Sequence, residues 1–297
     1  NWLKIMQERD VVRAGNSRLR RRKRKIFFRK SSLLLALFVI VVGGLIFLSW
    51  RPFLQIKEVS VVGINVLPEN ELLNEVEDVL GGRYLLVFPK RNIFLAPQRA
   101  LEKNLKITYP RIETIDIDID TKRKLNIVLT EREGQYLWCD GVSVSAEQEQ
   151  SDCYYMDDRG KIFDKAPYFS AGNIYFSFYG TISDDIEDQI LGERYLSMEE
   201  FMKLTSFIDS LDKMDIKSFA CKEEGDDFIL YLGTKKSSNM PYMSWRRDID
   251  MAHLKSNVDS AFATEPFKTR YKDDFASLEY IDLRFENKVY YKFKPTF

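Results

Sequence analysis

The sequence predicts an α+β protein: a single N-terminal transmembrane helix, a strand–helix–helix–strand–strand unit, then a mixed β-sheet domain with two or more helices. Three observations predict it. Leu33 to Leu48 run sixteen residues without a charge. Two helical patterns between 68 and 109 precede Ile115, Ile117 and Ile119 alternating with Asp116, Asp118 and Asp120. Beyond residue 134, short aromatic and β-branched strand patterns surround two helical stripes. With 297 residues, 45% apolar and 30% charged, the chain is no disordered tail, collagen-like repeat or multi-span membrane protein, and it has room for two modest domains.

Charge is divided along the chain. Residues 1–30 hold 12 Lys or Arg against 2 Asp or Glu, and residues 31–297 hold 33 against 43, so a tail of +10 precedes a body of −10. Nine of the thirteen residues from Arg18 to Lys30 are basic, and the positive-inside bias assigns the tail, 1–30, to the cytoplasm. The run abuts the apolar segment, which favours contact with membrane lipids over a nucleic-acid arm, and the acidic body argues against nucleic acid as a partner. Residues 31–50 are long enough to cross a hydrocarbon core of roughly 30 Å as a helix, with Trp50 at the outer interface. The stretch LSWRPFLQ offers no pair of small residues for cleavage, so an uncleaved single-pass anchor in the plasma membrane is expected, with the bulk of the chain extracytoplasmic. Because the sequence begins at Asn1 rather than Met, a few cytoplasmic residues are expected to precede it.

The first extracytoplasmic domain is expected over 51–133. Ile56, Val59, Val61 and Val62 form a strand pattern stopped by Gly63. Pro68 opens a helix with Leu72, Leu73, Val76, Val79 and Leu80 on one face, ended at Gly81 and Gly82 as by a left-handed cap. Pro97 opens a shorter helix carrying Ala100, Leu101 and Leu105, which must stop before Pro110. The Ile/Asp strand and a second one with Leu125, Ile127 and Leu129 follow, joined across a Thr121–Lys124 turn. Asp116, Asp118 and Asp120 do not make a calcium loop, since Thr121 stands where glycine is needed and Ile127 where a bidentate Glu is needed. They read as a solvated strand face.

The second domain, 134–297, starts with strands and hairpins over Tyr136 to Tyr179, with a turn at Asp157–Gly160. Ser197 and Glu200 form a capping box for a helix burying Phe201, Leu204, Ile208 and Leu211. Strands near 216–221 and 228–232 precede a helix from about Asp248 to Phe262 with Met251, Leu254 and Val258 on one face. The chain closes with strands Leu278–Phe285 and Val289–Phe293 around a turn at Glu286-Asn287-Lys288.

The strand, helix, helix, strand, strand order behind an anchor resembles the POTRA domain. The stretch LEKNLKITYPRIETIDIDIDTKRKLNIVLTEREGQYLW resembles the FtsQ/DivIB cell-division family, with Gly134 after Glu131, Arg132 and Glu133 where that family usually has Pro. Tyr280-Ile281-Asp282-Leu283-Arg284-Phe285 followed by Asn287-Lys288-Val289 resembles the closing strand motif of the family's β domain. The resemblance implies a non-enzymatic scaffold of the bacterial divisome at the septum. It also implies FtsB-like and FtsL-like division proteins as partners, the FtsB-like one adding a strand to the sheet edge by β-augmentation. By position it assigns that edge to Phe285, Asn287, Val289, Tyr290, Tyr291, Lys292 and Phe293. Alternation alone would put about half of these side chains into the core instead.

Chemistry is sparse elsewhere. One histidine and three cysteines cannot supply a His- or Cys-rich zinc site, although carboxylate-only sites stay open. Cys139 and Cys153 flank a polar loop and could pair as a disulfide in an oxidising compartment, whereas Cys221 reads as a small buried residue. His253 reads as a solvated or capping residue. No catalytic residue, G-x-G-x-x-G, P-loop or nucleophile elbow is found, and Asp184–Asp185 and Asp226–Asp227 read as turns. No cofactor and no small-molecule substrate are expected. The competing readings are a membrane-anchored cell-wall enzyme and a POTRA-type chaperone for secreted proteins.

Overall fold

The computed structural model describes residues 2–140, 152–167, 175–182, 190–234, 240–286 and 288–295, with side chains described for Arg24 and from Ile26 onward. Helix α1 (Trp2–Ser49) is unbroken, and Ile26–Ser49 is long and apolar enough to cross a membrane. At helical rise these residues span about 36 Å. The apolar stretch extends five residues further toward the N-terminus than residues 31–50, because Ile26, Phe27 and Phe28 are apolar and Arg29 and Lys30 can carry their charged ends to a surface. Most of their large side chains, from Leu33 to Phe47, are exposed, with Val42 and Ile46 half-buried. The helix end is tied down: the buried Ser49 carbonyl accepts from Gln55 Nε2 (2.9 Å) and Asn92 Nδ2 (3.0 Å), answering a helical C=O that has no partner within the helix.

The chain contains two compact units that interleave in sequence, Asn1–Val62 with Pro68–Leu101 and Asp116–Val128, and Gly63–Leu67 with Glu102–Ile115 and Leu129–Phe297. After α1 come β1 (Glu58–Val62), α2 (Glu69–Gly81), β2 (Arg83–Tyr84), β3 (Phe88–Pro89), α3 (Gln98–Thr108), β4 (Ile112–Ile119) and β5 (Lys124–Glu131). The three-stranded sheet has the order β1-β5-β4, with β1 parallel to β5 and Val59 and Val61 opposite Leu125 and Ile127. Leu72, Val76 and Leu80 bury one face of α2 at four-residue spacing. Gly82 is extended, with φ −71°, so the expected left-handed cap is absent there: its N–H bonds Val79 O and the chain passes straight into β2. The β2–β3 hairpin lies where the sequence shows only an apolar link. Asp116 and Asp118 are exposed, and Asp120 Oδ1 accepts the Lys124 N–H across the turn.

Glu131 and Arg132 at the end of β5 organise backbone. The Glu131 carboxylate accepts from the N–H groups of Asn65 (2.8 Å), Val66 (3.0 Å) and Leu67 (3.1 Å), which holds the turn after Gly63. Gly63 has φ +96°, and a Cβ there would fall 1.9 Å from Leu129 O. Arg132 reaches Pro110 O (3.1 Å) and pairs with buried Asp157, whose other oxygen accepts from Arg159 and Lys161 N–H. Arg111 pairs with Asp164 (2.8 Å). At Gly134 a Cβ would lie 2.5 Å from the Tyr155 ring, so the ring occupies the space that a side chain would need.

Among the described residues the larger sheet has nine strands: β6 (Tyr136–Cys139), β7 (Cys153–Met156), β8 (Ile162–Lys165), β9 (Phe176–Tyr179), β10 (Ser218–Glu224), β11 (Asp227–Leu232), β12 (Tyr242–Arg246), β13 (Leu278–Phe285) and β14 (Lys288–Phe293). Their order is β14-β13-β12-β11-β10-β9-β6-β7-β8, with parallel pairing at β13/β12, β10/β9 and β9/β6. Helices α4 (Met198–Asp212), α5 (Met251–Ala263) and α6 (Phe267–Asp273) contribute to the main core on one face. Phe201, Leu204, Leu211, Leu254 and Val258 pack there with Trp245, Leu230, Ile281 and Leu283. The Ser197–Glu200 capping box is formed. Strand β12 and helix α6 add to the elements expected from sequence. Asp226 and Asp227 lie at the β10–β11 turn, and Asp184 and Asp185 lie outside the described residues.

Cys139 and Cys153 face each other on paired β6 and β7 and are joined as a disulfide, Cα–Cα 4.1 Å. A crosslink closing a loop of that length stabilises by about 3 kcal/mol in the chain-entropy model. Reduction with the fold otherwise intact should lower the unfolding free energy by about that amount, measurable as a shifted urea midpoint.

Burial alone would raise the Glu131 pKa, but the N–H groups of Asn65, Leu67 and Val66 and the Arg111 guanidinium outweigh it and hold it below the ordinary carboxylate value. The unfolded chain therefore takes up this proton at higher pH than the folded one. The resulting stabilisation is full above the ordinary glutamate range and is lost as pH falls through the lowered folded-state value. Glu131→Gln should destabilise the protein at neutral pH by about 1–2 kcal/mol and flatten the acid limb of its stability profile, read by urea unfolding from pH 3 to 7.

Candidate functional site

An open sheet ends in two strands, each with one row of backbone N–H and C=O groups facing away from its neighbour. The two ends here differ. At β8 the chain covers its own edge: Ile162 N–H donates to Glu193 O (2.9 Å), Gly192 N–H to Ile162 O (2.8 Å), and Lys161 bridges Arg194. At β14 the described residues pair only with β13.

Geometry assigns the free row. Lys294 N–H donates to Ser277 O (2.7 Å), and Phe293 stands opposite Leu278. By strand alternation the backbone groups of Lys292 and Tyr290 turn inward to β13, while those of Val289, Tyr291 and Phe293 turn outward. Side chains alternate independently. Val289, Tyr291 and Phe293 lie on the helix side, where Tyr291 is 4.6 Å from the Phe267 ring and buried Phe293 carries the Arg270 guanidinium at 4.2 Å. Tyr290 and Lys292 lie on the other face, Tyr290 46% exposed and Lys292 paired to Glu279 (2.6 Å).

The structure thus brings Phe285, Val289, Tyr290, Tyr291, Lys292 and Phe293 together on β13 and β14, with the Phe285 ring 5.1 Å from Tyr290. Asn287 lies outside the described residues. Phe293 offers the edge only its backbone. Sequence reasoning missed Tyr242 and Tyr280, stacked at 6.0 Å, which the register places beside Lys292 on the open face. The tyrosine at alternate positions of successive strands was a signal, but it needed the β12/β13 register to be read.

Polar contacts set the edge in place. Arg284 clamps Asp282 (2.7 Å) and reaches Asp227 (3.1 Å). Burial raises the Asp282 pKa, but these Arg284 contacts prevail and keep it lowered. The turn carbonyl of Glu286 is met by His253 Nε2 and by Asn257 Nδ2 (2.9 Å), and His253 N–H also donates to the N-cap Asp250 (2.9 Å). Cys221 is fully buried, which pushes its thiol pKa well up, and among the described residues no three of His, Cys, Asp and Glu converge as a metal site.

No protein-family model and no curated protein sequence matches this chain.

The outward and inward rows predict a contrast between neighbours. Measured against Tyr290→Ala and Tyr291→Ala, which already remove the rings, Tyr290→Pro loses an inward ladder donor and should cost about 1–2 kcal/mol of stability, whereas Tyr291→Pro loses a solvent-facing donor and should cost clearly less, both by urea unfolding.

Proposed function

We propose that this chain is a non-enzymatic, single-pass membrane scaffold of the bacterial division machinery, of the FtsQ/DivIB kind. On this reading the N-terminus is cytoplasmic and β14 takes a strand from an FtsB-like partner, which an FtsL-like protein accompanies. The observation that carries the reading is the β14 edge, open among the described residues, set against a β8 edge that Gly192 and Glu193 meet at Ile162. Main-chain pairing along Val289, Tyr291 and Phe293 would supply affinity. Tyr290, Phe285 and the tyrosines of the open face would select side chains at alternate positions.

Two further features support it. The apolar stretch Ile26–Ser49 follows the basic run at 18–25, the arrangement that orients a single span with its N-terminus inside. The β1-α2-α3-β4-β5 order, with an added hairpin and with β1 parallel to β5 in the middle of its sheet, has the succession expected for a POTRA-like domain.

Two measurements test it. A fluorescent protein fused to the N-terminus should form a band at the septum of dividing cells, and an even outline would sink the division role. In the reconstituted chain, Tyr291→Pro should weaken binding of the FtsB-like partner by about tenfold or more relative to Tyr291→Ala, a loss of roughly 1.4 kcal/mol, with folding retained. Unchanged affinity would remove the edge assignment.

A further inference from the structure

The last turn of α1 carries around it a knot of short segments. Trp50 Nε1 donates to Val87 O (2.8 Å), Asn92 Nδ2 to Ser49 O (3.0 Å), Ile93 N–H to Leu54 O (2.9 Å), and Gln55 bridges Asn92. The knot therefore holds the β2–β3 hairpin and residues 52–55 and 92–94 directly against the end of the apolar helix. Side chains of this knot point into solvent where burial would be expected. Leu85 and Leu86 are each 85% exposed and Phe94 79%, with Phe53 and Trp50 also exposed.

The hairpin tip adds a second observation. Val87 N–H closes a turn on Tyr84 O (3.1 Å), and the two central residues, Leu85 and Leu86, have φ +48° and +66°. Positive φ at both central positions suits Asn-Gly and disfavours a residue with a bulky Cβ substituent. Two leucines here bear a conformational cost while exposing nearly all their apolar surface to water. That combination is unfavourable twice over unless a non-aqueous phase receives the tip.

The surrounding charges identify that phase. Arg83 lies over the Trp50 ring (5.0 Å), Arg51 over Phe47 (4.1 Å) and Lys90 over Tyr84 (5.6 Å). Arg123 donates to Pro52 O at the same place. Aromatic rings under cationic side chains, ringing bare leucine and phenylalanine, match the layered chemistry of a phospholipid surface: phosphate outside, acyl chains within.

We propose that Leu85 and Leu86, with Phe53 and Phe94, form a lipid-docking tip that enters the leaflet at the C-terminal end of α1. The tip holds the first residues of the folded chain against the bilayer. The proposal rests on the reading that α1 spans a membrane. The occupant is the phospholipid bilayer itself; quenched tip labels in protein-free lipid need no protein ligand for the patch, and unquenched ones would remove the bilayer as its occupant.

The test uses the full chain reconstituted in phosphatidylcholine–phosphatidylglycerol vesicles. An environment-sensitive fluorophore is placed separately at Leu86→Cys, Phe94→Cys and, as a marker of the span, Gly43→Cys, where no atom crowds an added side chain. The native thiols do not compete, since Cys139 and Cys153 are bonded and Cys221 is fully buried. With shallow nitroxide lipids the Leu86 and Phe94 labels should lose roughly half their emission or more, as expected for side chains entering the headgroup–acyl boundary by about 5–10 Å. The Gly43 label should be quenched by deep nitroxides. Water-like, unquenched labels at Leu86 and Phe94 with a quenched Gly43 would overturn the docking tip and leave the span standing. Three unquenched labels would overturn both.

Discussion

The backbone groups along the ends of the nine-stranded sheet are the constraint from which the rest of the larger unit follows. Interior strands satisfy both rows of N–H and C=O, and an end strand satisfies one. At β8 the deficit is met locally: the strand is four residues long, Gly192 and Glu193 hydrogen-bond to it, and Asp164 and Lys165 put charges on it. Gly192 has φ +98°, a conformation that lets the covering segment turn onto the edge without a Cβ penalty. Strand β14 is six residues long, pairs only with β13 among the described residues, and exposes Tyr290 and Tyr291 between Lys288 and Lys292.

An open edge is useful only if it stays in one geometry, because a strand that must be ordered on binding loses affinity to that ordering. Three sets of contacts hold β14 from its own side. Phe267, Tyr271 and Phe262 of α5 and α6 form an aromatic cluster on which Tyr291 and Phe293 rest. The Glu286 carbonyl is pinned to α5 by His253 and Asn257. Arg284 ties the end of β13 to β11 through Asp227. The Asp-x-Arg within the closing motif is thus a clamp that places the edge. It acts through position, and the exposed aromatic side chains beside it are Phe285 and Tyr290.

Much of this was legible in the sequence, and the remainder was not for identifiable reasons. Local signals were read correctly where periodicity and capping agree: the α2 stripe of Leu72, Val76 and Leu80, the Ser197–Glu200 box, the Asp157–Gly160 turn and the final hairpin. Strand β12 was missed because Tyr242-Met243-Ser244-Trp245-Arg246 buries three consecutive residues between two neighbouring strands, so no alternation marks it. The β2–β3 hairpin was missed because its strands are two residues long and its turn has leucines where turn chemistry calls for Asn or Gly. At the edge, residue identities could be named, but which strand ends the sheet is a property of strand order. Three parallel pairings by long crossovers fix that order, and none leaves a local trace.

An open aromatic edge invites pairing between copies, and the residues beside it bear on that outcome. In an antiparallel pairing of two β14 strands centred on Tyr290, Lys288 of one copy stands opposite Lys292 of the other. Centred on Tyr291, it stands opposite Lys294. Like charges directly opposed across strands are destabilising, and lysines on an edge are a common way of discouraging such contacts. Lys292 is partly answered by Glu279 within the same chain. A partner strand with acidic residues at those positions would meet no such repulsion and would gain cross-strand pairs. The same lysines would therefore disfavour a basic strand at this edge and favour an acidic one.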